Sequence, residues 1–161
     1  MSAGDGVIFF GARRALLLLH AGSSIVFIGA ATHHALQRRH YFRGRFQRQS
    51  LEKTYAKVVS VTYVLTFLLG AMVYPSYRVH VRGYYLDRFA PAYSSLFDLK
   101  EVYASLTLTV AVGLGALAFT LKPDESPALA RIYATMSLFV CAVVWFDVIA
   151  GLLITSVRGL G

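Results

Sequence analysis

The chain has 161 residues, 57% of them hydrophobic and only 15% charged, with 16 Lys+Arg against 8 Asp+Glu for a formal net charge of +8. A water-soluble domain is about half apolar and about a quarter charged, so this composition excludes one, along with a disordered tail. The basic surplus falls almost wholly between long uncharged runs, which excludes a nucleic-acid partner and marks one compact integral membrane domain in contact with the lipid bilayer.

The first uncharged run covers residues 15–37. About 20 helical residues cross about 30 Å of hydrocarbon, so it is long enough to span. It follows Arg13 and Arg14 as a secretory leader would. Its apolar run is long for a leader core, however, and the span is expected to be retained. Next comes a basic loop with Arg38, Arg39, Arg43, Arg45, Arg48, Lys53 and Lys57, read as a collar that sets topology and meets lipid phosphate. The second run is 58–77. Residues 78–101, RVHVRGYYLDRFAPAYSSLFDLKE, are rich in Tyr and Arg and are expected to form an ordered loop at the opposite membrane surface. The third run, 102–121, leads into a short loop where Pro123 and Pro127 should end one helix and start the next. The fourth, 132–157, carries the one intramembrane acid, Asp147. The runs are continuous rather than alternating, and far exceed barrel-strand length. The expected fold is therefore all-α, a four-transmembrane-helix bundle forming a single domain over 1–161.

Nine Lys or Arg lie on the basic-loop side and seven on the other, densest behind the first helix. The positive-inside rule then places the basic loop in the cytoplasm and both termini outside, in a bacterial inner membrane. Cys141, the only cysteine, lies among apolar neighbours and reads as inert.

Polar groups in hydrocarbon are candidates for function. At about 1.5 Å per residue, His20, Met72 and Asp147 all fall in the outer half of the bilayer, on three different helices. An imidazole near a carboxylate can carry a proton, with Glu101 at the mouth of the third helix; an imidazole with a Met can ligate haem iron. A bland alternative has equal weight, with the polar groups pairing to hold helices together. His20 and His34 are fourteen residues apart on one face, a dihaem-like spacing. The other spans contain no histidine to complete two bis-histidine sites, so at most one haem is expected, with His20 on one side and Met72, His80 or Lys100 opposite. His33 and His34 read as interfacial residues. Lys100 can snorkel, pair with Asp98 or Asp147, or meet a haem propionate. Arg78, Arg82 and Arg88 surround the same mouth and could do likewise, though lipid-phosphate contact is the commoner reading. Zinc-protease, Walker, dinucleotide and serine-hydrolase motifs are absent from the sequence.

The stretch LLLHAGSSIVFIGAATHHALQRRH is similar to the opening helix of the HemJ/CopD-type four-helix bacterial membrane proteins, with His20, Gly29 and His40 at matching places. The basic loop 43–57, Gly70 in the second helix, and Lys100 in DLKEVYASL continue the resemblance. Phe27 stands where that family has Trp, and the outer loop is longer. HemJ-type members bind haem b and oxidise protoporphyrinogen; CopD-type members are linked to copper uptake. The resemblance implies His20 as a haem ligand with Lys100 beside it; the architecture and His20 are carried to this chain, and the reaction is not. The expected function is haem b binding or electron transfer within a membrane complex. The alternatives are a non-catalytic accessory subunit, joined to other membrane subunits or to copies of itself, and, less favoured, a proton or metal-ion transporter.

Overall fold

The computed structural model describes residues 6–45 and 49–160. Four long helices carry the fold: α1 (Arg13–Arg38), α2 (Gln49–Tyr77), α3 (Pro91–Thr120) and α4 (Pro127–Val157). No strand occurs among the described residues. All four helical runs are long and apolar enough to cross a membrane. At about 1.5 Å per residue, α3 and α4 are each about 45 Å long, so their ends project past the hydrocarbon.

The helix ends follow from local chemistry. Pro91 and Pro127 sit in the first turns of α3 and α4, where a missing N–H costs nothing. After α1, Tyr41–Arg43 make a 3₁₀ turn closed by Gly44 at φ 66°, a left-handed conformation that glycine adopts without a Cβ clash. Segment 78–101, expected as a loop, is helical along nearly all its length. α2 passes directly into a π-helical stretch, Arg78–Leu86, three residues after Pro75. Proline cannot supply its own N–H and crowds the preceding turn, which favours a widened helix nearby. A single turn, Asp87–Phe89, and an extended Ala90 then reverse the chain into α3.

The bundle closes on itself: α1 packs on α2 and α4, and α3 packs on the same two. Its main core runs through Phe27, Ala31, Ala56, Val59, Tyr63, Ala111, Leu114, Tyr133, Val140 and Val144. A smaller core at the π-segment end gathers Val81, Leu86, Phe97 and Ile154. Outward faces carry exposed Leu18, Ile25, Leu65, Leu106, Phe119, Ile149 and Leu152. Such a surface is costly in water and suits lipid. Close packing needs small residues where helices meet. A Cβ on Gly115 would lie 2.5 Å from Ser60 Oγ and 2.8 Å from Ser60 Cβ, while Ser60 Oγ donates to the Ala111 carbonyl at 2.6 Å. Gly115 thus sets the α2–α3 spacing.

Candidate functional site

Two polar clusters lie inside the bundle, one toward the π segment and one toward the basic loop. The first is centred on His20 of α1. Its Nδ1 lies 3.0 Å from the Thr66 carbonyl oxygen on α2. A carbonyl can only accept, so Nδ1 carries the proton, and in the neutral ring Nε2 keeps a free lone pair. Gly70, one helical turn beyond Thr66, makes room for the ring: a Cβ there would meet His20 Cε1 at 3.1 Å. Thr66 Oγ1 also donates to Ser23 Oγ at 3.0 Å, clipping α1 to α2 beside the imidazole.

The remaining two helices complete this level. Lys100 of α3 reaches over α4, where its Cε would lie 3.7 Å from a Cβ on Gly151. It is close enough to act electrostatically on both His20 and Asp147. Asp147, one turn before Gly151, has a buried Oδ1 with no hydrogen-bond partner among the described residues. Tyr63 donates to the Ala104 carbonyl at 2.7 Å, one turn along α3 from Lys100.

Comparison with protein-family models, with curated proteins and with solved structures returns no match.

The expected site residues separate into those that gather and those that do not. His20, Lys100 and Asp147 share one level, with Lys100 linked electrostatically to each. Met72 lies two residues past Gly70, about 200° around α2, on the side turned away from the His20 ring. His80 is elsewhere, its ring tilted against Phe10 at 4.7 Å and edge-on to Tyr84 at 5.7 Å. Glu101 belongs to the helix mouth, where it interacts with Tyr74 and lies in the field of Lys100, Asp98 and Arg82. Asp98 is not the partner of Lys100: Arg82 holds it through Nη1 and Nη2, while its Nε reaches Asp87 at 3.6 Å. Arg82 is therefore an ion-pair residue rather than a lipid contact.

The second cluster was not anticipated, and it corrects two expectations. Arg38 is not part of the lipid-facing collar. It is 1% exposed, and its Nη1 meets Glu52 Oε2 at 3.0 Å. Its Nη2 donates to Tyr133 Oη at 3.3 Å, and its guanidinium lies 4.6 and 4.4 Å from the ring centres of Tyr41 and Tyr133. His34 is not interfacial. It is 1% exposed, accepts from Arg38 Nε at Nε2 (3.0 Å), and bonds Ser137 Oγ through Nδ1 at 2.8 Å. Both ring nitrogens are engaged, so His34 has none left for a metal. Tyr41 donates to the Glu52 carboxylate. Burial and that carboxylate hold the Tyr41 phenol well above its ordinary range, which keeps it a donor. The sequence does carry the signal: His34 and Arg38 are one turn apart on α1, Tyr133 and Ser137 one turn apart on α4. Glu52 is the single acid among the basic residues of the loop.

Of the remaining collar residues, Arg39, Arg43 and Arg45 are exposed, as is His33, whose ring lies 4.5 Å from Tyr55. Arg48 lies outside the described residues. Among the described residues no group of three or more His, Cys, Asp or Glu could hold a bare metal ion.

A haem, whose nitrogens come from its own macrocycle, asks less of the protein. It needs an imidazole nitrogen with a lone pair, a second-shell group fixing that imidazole, and cations for its propionates. His20, the Thr66 carbonyl and Lys100 match these requirements on one side. Met72 and His80 do not gather with His20. Of the expected haem ligands, only His20 has such partners among the described residues.

Proposed function

We propose that this chain is a bacterial inner-membrane protein, with both termini on the outer side, that binds a single haem b through His20 and serves electron transfer within a larger membrane assembly. The observation that carries the reading is the His20 tautomer, with Nδ1–H committed to the Thr66 carbonyl and Nε2 free. The resemblance to HemJ/CopD-type proteins points to the same residue. Haem held there would supply one-electron redox chemistry. The chain's own residues do the rest: Thr66 orients the imidazole, Gly70 leaves room for it, and Lys100 offers a cation to a propionate. Asp147 offsets the Lys100 charge in the apolar bundle. Purified protein should show a Soret band that shifts on reduction, and His20→Ala should lose it. A colourless preparation from haem-replete cells would sink the proposal.

A second reading, the accessory subunit, is favoured by the Arg38–Glu52 cluster, in which every polar group serves to join helices. Purification with stoichiometric partner subunits and no chromophore would select it. The weaker transport reading draws on the unpartnered Asp147 Oδ1, and needs proton flux in liposomes that Asp147→Asn abolishes.

A further inference from the structure

A cavity of about 280 Å³ opens at the π-segment end, away from the His20 level, lined among others by Phe10, Arg13, His80, Tyr84, Tyr85 and Arg158. It lies where three elements change character together. α1 begins at Arg13, α4 ends at Val157, and α2 passes into the π segment at Arg78. In a spanning bundle this is where apolar side chains give way to Tyr and Arg, the depth of lipid headgroups.

The cavity collects positive charge with no answering acid among the described residues. Arg13 donates from Nη1 to the Phe10 carbonyl at 3.1 Å and lies 4.0 Å over the Phe10 ring. Arg158 lies 5.6 Å from the Tyr85 ring centre. Neither arginine joins an ion pair among the described residues, and no carboxylate among them lines the cavity. His80 adds a buried Nε2 with no hydrogen-bond partner among the described residues, a group that costs free energy until something meets it. Two unpaired guanidiniums, an unpartnered imidazole nitrogen and aromatic walls make a receptor for an anion with several acceptor oxygens. We propose that this cavity binds the phosphate of an anionic phospholipid headgroup. The volume takes a phosphate with part of its headgroup and is too small for acyl chains, which would stay in the bilayer. This inference rests on the chain spanning a membrane and not on haem, so a colourless preparation leaves it standing.

The test is thermal unfolding of the full chain in dodecyl maltoside, titrated with dihexanoyl-phosphatidylglycerol, dihexanoyl-phosphatidylcholine or sodium phosphate. Phosphatidylglycerol should stabilise the wild type saturably. Arg13→Gln and Arg158→Gln should each weaken its apparent affinity about tenfold, the size of one lost charge-assisted contact. Equal stabilisation by phosphatidylcholine, or no weakening in either variant, overturns the proposal. A full effect from sodium phosphate, with none from phosphatidylglycerol, overturns the lipid headgroup as occupant. Should a variant fail to fold, native mass spectrometry of wild type from mixed lipid decides. One retained phosphatidylglycerol per chain supports the site, and no preference over phosphatidylcholine contradicts it.

Discussion

Removing the Glu52 side chain probes how the basic-loop end is held together. The residue is 3% exposed; its carboxylate binds Arg38 Nη1 at 3.0 Å and accepts from Tyr41. In Glu52→Ala the Arg38 charge stays buried, with only neutral hydrogen-bond partners among the described residues, His34 and Tyr133. Two hydrogen bonds to a charged group, at about 1.5–3 kcal/mol each, put the loss at about 3–6 kcal/mol. The ring contacts of Tyr41 and Tyr133 are present in both proteins and change the difference little. Removing one partner of a buried pair costs about 3–5 kcal/mol, so the two routes agree and the expected loss is about 3–5 kcal/mol. The double variant Arg38→Met/Glu52→Leu removes both charges at similar volume and should cost less than Glu52→Ala alone. SDS-induced unfolding in mixed micelles, followed by far-UV circular dichroism, measures both. A Glu52→Ala protein within about 1 kcal/mol of wild type would refute the reasoning, because a desolvated charge cannot lose its counter-ion so cheaply.

Gly115→Ala forces α2 and α3 apart, because Ser60 Cβ would lie 2.8 Å away; overpacking of this kind costs about 1–3 kcal/mol. Gly22→Ala meets nothing within 4 Å, so it should be neutral or slightly stabilising by the same unfolding assay. Gly70→Ala pushes on the His20 ring from 3.1 Å, and is expected to reduce haem retention while the circular dichroism spectrum stays helical. The Tyr41 phenol keeps its proton in the folded state at pH values where the unfolded chain has released it. Its contribution is therefore complete below the unfolded value of 10.0 and falls as pH rises beyond it. Between pH 10 and 12 wild type should lose stability more steeply than Tyr41→Phe, by up to about 1.4 kcal/mol per pH unit.

The four helices were legible because long apolar runs report membrane-spanning helices directly, and Pro127 marks the start of α4 correctly. Helix ends were less so. α2 begins at Gln49 rather than near residue 58, since Glu52, Lys53 and Lys57 leave hydropathy unable to see a helix that projects past the hydrocarbon. The helical character of 78–101 was hidden because its Tyr and Arg residues read as a membrane-surface loop, although Arg78–Leu86 carries an apolar face that buries Val81 and Leu86. At the candidate site, His20, Lys100 and Asp147 could be found one by one as polar groups in apolar runs. What their side chains touch could not: the Thr66 carbonyl is a backbone group with no sequence signature. Arg38 was misread for a related reason. A basic residue at a helix end is ordinarily solvated or lipid-bound, and the groups that bury it come from 14 and 95 positions away.

The most direct test of the haem assignment is haem content by pyridine haemochrome on protein purified from haem-replete cells, comparing wild type with His20→Gly with and without added imidazole. The account predicts about one haem b per chain, its loss in His20→Gly, and return of the Soret band when imidazole fills the vacated position. Haem content unchanged in His20→Gly, or wild type without haem, would contradict it.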